Sequence, residues 1–145
     1  MKLAVVDHLG NPGGGSRVIR ALLPALKHLR PDLELTFFGC RSAMIREGLC
    51  DEFPRQGIRI RTLRSTILAN EGLWGIEDSK YAFRKLQIKY GDRLRFLPVY
   101  LSGAVHRELE HKVKGFDLAF FPWPFLLRCP TLACPMVGIF HDFNF

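Results

Sequence analysis

Two segments of the chain carry residue types that can bind and act on a polar ligand. The first is the glycine run Gly13–Gly15, which Ser16 and Arg17 follow directly. Glycines have no β-carbon, so the backbone can approach a ligand closely, and the free N–H groups at the start of a helix attract anions. Ser16 adds a hydroxyl group and Arg17 adds a guanidinium group. This segment therefore predicts a binding site for an anion such as a phosphate group.

The glycine run matches neither of two common phosphate-binding motifs. Arg17 and Val18 stand where the G-x-x-x-x-G-K-[ST] loop requires Lys and Ser or Thr, and the G-x-G-x-x-G pattern also fails at Val18. The sequence thus argues against a mononucleotide ATPase and a dinucleotide oxidoreductase. The alternative interpretation of the run is a tight turn in which the glycines serve backbone geometry alone.

The second segment is the pair His141 and Asp142, directly after the apolar residues 136–140. An imidazole changes its charge near neutral pH, so His141 can hydrogen-bond to sugar hydroxyl groups or stabilise a developing charge. Asp142 can orient the imidazole ring or cap the following segment. The alternative is a structural His–Asp pair that fixes a turn.

The apolar pattern predicts strands and helices that alternate along the chain. Residues 2–7 predict a buried strand, Ser16 is the expected N-cap of a helix that reaches about Arg30 with a bend at Pro24, and residues 33–38 predict a second strand. The other predicted elements are a helix over 42–49, a third strand near the sheet edge over 57–63, helices over 82–90 and 98–114, and two buried strands over 117–121 and 136–140.

These elements predict an α/β fold, namely a doubly wound, mostly parallel sheet flanked by helices in a single domain over residues 1–145. In such sheets ligands bind beyond the carboxyl ends of the strands. Because the glycine run and His141 each follow a predicted strand, we expect both segments to face one cleft.

Composition and charge narrow the classes of partner. The net charge of +7 predicts an affinity for anions, and the chain contains no nucleic-acid-binding motif, so we expect no nucleic-acid partner. The four cysteines form no C-x2-C pair, which favours reduced cytosolic thiols over a disulfide or a metal site. No segment has the pattern of a signal peptide or of a membrane-spanning helix.

Basic residues interleaved with apolar ones form a further set, which suits an anionic membrane face or a lipid-linked phosphate. The alternative is an ordinary solvated face. The set comprises Arg59, Arg61, Arg64, Lys80, Arg84, Lys85, Lys89, Arg93 and Arg95.

Several motifs, taken in their order along the chain, resemble the N-terminal domain of retaining GT-B glycosyltransferases, which build glycans and glycolipids from nucleotide sugars. The resemblance covers both ends of the chain, whereas residues 48–97 match poorly. The motifs are Leu3–Asp7, Gly13–Arg17, Ala21–Leu26, Phe116–Leu118 and Pro135–Asp142.

The resemblance implies two Rossmann-like domains that face each other across a cleft, with this chain as the acceptor-side domain. Gly13–Gly15 would then lie beside the donor diphosphate, with Ser16 and Arg17 as neighbouring contacts, and His141, with Asp142 next to it, would contact the donor sugar. Most groups that hold the nucleotide would belong to a C-terminal domain of the same polypeptide, outside this sequence.

The resemblance implies further properties of the protein. The nucleotide sugar is a substrate, no cofactor or metal is needed, and the acceptor is a glycan or a lipid-linked molecule. We expect a cytoplasmic protein with a peripheral contact to the inner face of the membrane through the basic set, and no activity from this chain alone. Two alternatives stay open: a stand-alone Rossmann-type module that binds a phosphorylated ligand without catalysis, and a membrane-associated scaffold.

Overall fold

A computed structural model of the chain describes residues 1–7, 14–64, 106–122 and 130–138. The predicted helix over 82–90, the first part of the predicted helix over 98–114 and the last two residues of the predicted strand over 136–140 lie outside these ranges. The elements are β1 (Lys2–Val6), α1 (Gly14–Leu29), β2 (Glu34–Gly39), α2 (Arg41–Arg46), α3 (Leu49–Arg55), β3 (Arg59–Thr62), a helical segment over 106–112 named α4, β4 (Leu118–Phe121) and β5 (Met136–Gly138).

The five strands form one sheet in the order β3-β2-β1-β4-β5, and every neighbouring pair is parallel. The chain builds outward from β1 to β2 and β3, and then returns to the other side of β1 to add β4 and β5. The strand order therefore reverses between β1 and β4, which is the switch point of a doubly wound sheet. The predicted α/β, Rossmann-like class is confirmed.

One face of the sheet packs against α1, α2 and α3. Val5 of β1 and Phe37 of β2 lie in the same buried cluster as Ile19 and Leu23 of α1. The Phe37 ring also meets the ring of Phe53 from α3 edge to face, with centroids 5.3 Å apart. Burial of each such side chain stabilises the fold by about 1.5–3 kcal/mol, so this face fixes the position of α1 against the sheet.

The opposite face packs against α4. Val6 and Phe38 belong to a second buried cluster with Leu109 and Val113, which come from α4 and the residue just after it. Successive side chains of a strand point to opposite faces, so Val5 and Val6 reach different helical layers. Helices on both faces also explain why β1 is apolar throughout its buried residues rather than alternating.

The helix α1 begins at Gly14, whereas an N-cap at Ser16 would start it at Arg17, so the predicted start was wrong by three residues. Ser16 instead lies in the first turn. The helix continues through Pro24, and Ile19 and Leu23 keep the spacing that buries one side of it. Residue type alone favoured Ser16 as the N-cap, because serine is a preferred capping residue, but Gly14 and Gly15 already have helical geometry.

The two strands at the edges of the sheet differ from each other. In β3 the residues alternate between exposed and half-buried, which confirms the predicted edge position. The predicted burial of β5 was wrong, because Met136 is 38% and Val137 is 49% exposed. Within the described residues only β4 pairs with β5. The apolar sequence of β5 does not show whether another element covers the strand.

Candidate functional site

The parallel strands end together along one edge of the sheet, called the carboxyl edge here, and begin along the opposite amino edge. Since ligands of doubly wound sheets bind beyond the carboxyl ends at the switch point, the candidate site lies where the chain leaves β1 and β4. The last residues of the five strands in sheet order are Thr62, Gly39, Val6, Phe121 and Gly138.

The structure places four of the five residues of the glycine-rich segment in the first turn of α1. Gly14, Gly15, Ser16 and Arg17 open the helix that follows β1, whereas Gly13 lies outside the described residues. The first N–H groups of a helix have no partner within it and carry a partial positive charge. Arg17 is exposed to solvent, so its guanidinium adds a full charge to the same turn.

His141 and Asp142 lie outside the described residues, so their predicted site roles stay predictions. The structure does describe Gly138, three residues before His141, at the carboxyl end of β5. β5 is separated from β1 by β4. The chain therefore leaves β1 and β5 at the same edge of the sheet, but two strand positions apart.

Asp7 is a buried acid at the carboxyl end of β1 that the sequence interpretation did not assign to the site. It is 9% exposed, and its backbone N–H donates to the carbonyl oxygen of Phe38 at 2.8 Å, which extends the β1–β2 ladder by one residue. Strand alternation places its side chain on the face of Val5, the face that α1 covers. The position of Asp7, an acid directly after an apolar strand, was the sequence feature that could have identified it as a site residue.

Two further arginines stand at the carboxyl edge. Arg41 is the first residue of α2, two positions beyond the end of β2, and Arg64 comes two positions beyond the end of β3. Both are exposed. Arg64 belongs to the basic set that the sequence suggested, whereas Arg41 was not singled out. Within that set Arg59 and Arg61 are also exposed, and the members from Lys80 onward lie outside the described residues.

A polar network fixes the backbone at the end of β3. The backbone N–H of Arg64 donates to Glu108 Oε1 at 2.8 Å, and the same carboxylate oxygen lies 2.7 Å from Lys112 Nζ. The Lys112 ammonium also donates to the carbonyl oxygen of Thr62. These bonds join α4 to the last residue of β3 and to the position from which the Arg64 side chain projects.

The cysteines and potential metal ligands give no sign of metal or disulfide chemistry within the described ranges. Cys40, Cys50 and Cys134 form no disulfide within these ranges, and no group of three or more potential metal ligands occurs there. Burial raises the pKa of the Cys134 thiol, and the nearby charge of Asp117 raises it further, which makes this thiol a weaker nucleophile near neutral pH. No helix in these ranges is both long enough and apolar enough to span a bilayer.

Comparisons with models of protein families, with curated proteins and with solved structures found no match to this chain.

Proposed function

We propose that this chain is the acceptor-side, Rossmann-like domain of a retaining GT-B glycosyltransferase, which transfers a sugar from a nucleotide-sugar donor to a glycan or lipid-linked acceptor. The observation that carries the proposal is the start of α1 at Gly14, directly downstream of β1, at the switch point of a parallel sheet. Helix starts in this position are anion-binding sites in doubly wound folds.

In this proposal the residues of the glycine-rich segment receive the donor diphosphate. Gly13, Gly14 and Gly15 let the phosphate oxygens approach the backbone N–H groups, and Ser16 and Arg17 contribute a hydroxyl group and a positive charge. Negative charge grows on the diphosphate as the bond to the sugar breaks. Fixed donors aimed at that charge lower the barrier, because they need no reorganisation during the reaction.

In this proposal His141 and Asp142, which follow β5 in the sequence, have the second role. A His141 ring N–H donates a hydrogen bond to a hydroxyl group of the donor sugar, and the Asp142 carboxylate orients the ring. The other wall of the cleft comes from a C-terminal domain of the same polypeptide, so this chain alone does not catalyse sugar transfer. The basic set provides a peripheral contact with an anionic membrane surface at the cytoplasmic face.

Binding of nucleotide sugars to the isotope-labelled chain, followed by NMR, tests the proposal. We expect UDP-sugars or GDP-sugars to shift the amide signals of Gly14, Gly15 and Ser16, and adenosine, which has no phosphate, to leave them unchanged. Absence of any shift at these amides with every nucleotide sugar tried would contradict the proposal. Sugar transfer by the isolated chain above background would refute the two-walled cleft.

A matched pair of histidine variants tests the role of the second segment. We expect His141→Ala to weaken binding of the nucleotide sugar about tenfold while binding of the free nucleoside diphosphate is retained, because only the sugar contact is lost. His28→Ala removes an exposed histidine from the last turn of α1 and serves as the control. Nucleotide-sugar binding to a full polypeptide that transfers no sugar to any acceptor would instead support the stand-alone binding module.

A further inference from the structure

The arginines of the carboxyl edge differ from most others in the described part of the chain because they lack acidic partners. Arg20, Arg30, Arg46 and Arg59 each have a carboxylate oxygen within 4.0 Å. No ion pair or side-chain hydrogen bond within that part of the chain engages the guanidinium groups of Arg17, Arg41 and Arg64.

The sheet brings these three charges together. Arg17 is in the helix that follows β1, Arg41 follows β2 and Arg64 follows β3, and these strands are neighbours. Adjacent strands lie about 4.8 Å apart, so the ends of β1 and β3 are separated by about 10 Å. Long side chains at these positions can reach one anion, and in its absence their like charges repel one another.

The backbones of Arg41 and Arg64 are fixed, although no described residue forms an ion pair with either side chain. The Glu108–Lys112 network holds the backbone of Arg64, and the charge of Glu108 is paired with Lys112. At the start of α2, the N–H of Met44 donates to the carbonyl oxygen of the buried Cys40 at 3.0 Å. A positive group on a fixed backbone loses less entropy when it binds a ligand than one on a mobile loop.

We infer that Arg41 and Arg64, continuing from Arg17, form a subsite for a phosphate group of the acceptor. This inference rests on the proposed function, in which the first turn of α1 holds the donor diphosphate. Arg41 and Arg64 lie on the β2–β3 side of that turn, opposite the β5 side from which the chain continues to His141. The acceptor is therefore anionic, and its phosphate binds at the ends of β2 and β3. Guanidinium groups suit this ligand because their paired N–H donors match phosphate oxygens.

Titration of the chain with inorganic pyrophosphate tests the subsite, with amide shifts of residues 41 and 64 and calorimetry as readouts. We expect Arg41→Gln and Arg64→Gln each to weaken binding about tenfold, since each removes charged hydrogen bonds. Arg55→Gln is the matched control, because Arg55 is exposed, lies just before β3 at the amino edge, and is equally free of ion pairs in the described residues. All three side chains are exposed, so thermal unfolding should be unchanged.

Equal weakening by all three substitutions would overturn the inference, since it would indicate only an effect of net charge. Vesicles of phosphatidylcholine with and without phosphatidylglycerol form a second arm. If Arg41→Gln and Arg64→Gln reduced vesicle binding but left pyrophosphate affinity intact, a membrane surface would replace the subsite. If nucleotide sugars bind at Gly14 and Gly15 but Arg41→Gln and Arg64→Gln leave the affinity for pyrophosphate unchanged, the subsite alone is refuted. Pyrophosphate binding at the arginines without nucleotide-sugar binding would refute the proposed function alone.

Discussion

The two edges of the sheet arrange their positive charges differently. At the amino edge, Arg30 Nη2 lies 2.9 Å from Asp32 Oδ2, and Arg59 Nη1 lies 3.3 Å from Glu34 Oε2. The backbone N–H of Lys2, at the start of β1, donates to Asp117 Oδ2 at 2.6 Å. Two arginines and one backbone donor at this edge are thus paired with acidic residues of the same chain.

At the carboxyl edge, the exposed arginines Arg17, Arg41 and Arg64 have no ion pair among the described residues. One of them, Arg17, is in the first turn of α1, and the other two, Arg41 and Arg64, follow β2 and β3. The acid Asp7 is buried at the end of β1. The charged groups at the two edges therefore have different roles. Those at the amino edge join strands and turns, whereas those at the carboxyl edge are available to a ligand.

The largest expected effect comes from loosening the packing that seats α1 at the carboxyl edge. Leu23 is fully buried between α1 and the sheet, so Leu23→Ala should lower the free energy of unfolding by about 2–5 kcal/mol. Chemical denaturation measures this change. Leu29→Ala, in the same helix but at a residue that is 72% exposed, should cost less than about 0.5 kcal/mol. Similar losses for the two variants would show that α1 is not held by this contact.

A smaller loss is expected when the support of Arg64 is removed. The Glu108 side chain is 15% exposed and accepts from both Arg64 and Lys112, so Glu108→Ala leaves a half-buried ammonium group without its carboxylate. We expect unfolding to become easier by about 1–3 kcal/mol. Glu110→Ala changes an exposed acid in the same helical segment and should be nearly neutral. If Glu108→Ala is also neutral, the network does not anchor the end of β3.

At the amino edge we expect a change in stability without a change in ligand binding. Asp117→Asn weakens the hydrogen bond with the Lys2 backbone at an exposed site, which should cost about 0.5–1 kcal/mol in denaturant unfolding. Affinity for pyrophosphate should equal that of the unmodified chain. A large loss of pyrophosphate affinity in this variant would contradict the separation of the two edges.

The smallest expected effect concerns the exposed pair Arg30 and Asp32. The hydrogen bond from Arg30 lowers the pKa of the Asp32 carboxyl group. Because the folded pKa lies below the unfolded one, the pair adds stability above the unfolded pKa of Asp32 and loses it as pH falls through the folded pKa. Arg30→Gln should therefore raise the Asp32 midpoint in an NMR titration, and Arg55→Gln should leave it unchanged. Equal midpoints in the unmodified chain and in Arg30→Gln would exclude the interaction.

Local sequence patterns were sufficient to predict most elements but not their neighbours. The buried run of β1 and the helical spacing of Ile19 and Leu23 depend on adjacent residues only, and both were predicted correctly. The helix α3 was missed because it has seven residues with only Leu49 and Phe53 buried, and it contains Pro54, which usually ends a helix.

The site depends on strand order, which is set by pairing between distant residues. The sequence indicated that the glycine-rich segment and His141 each follow a parallel strand, but it could not show that β4 lies between β1 and β5. It also could not show that Arg41 and Arg64 follow adjacent strands, because 23 positions, two helices and a strand separate them.

The central position of β1 has a consequence for biosynthesis. It is synthesised before the other four described strands, but one of its two neighbours begins only after Asp117, 115 residues from Lys2. At about 5–20 residues per second, translation needs roughly 6–23 seconds to cover that distance. During this interval one side of β1 offers unpaired backbone groups on an apolar strand, which other nascent chains can pair with. We therefore expect the growing polypeptide to depend on chaperones until β4 has emerged.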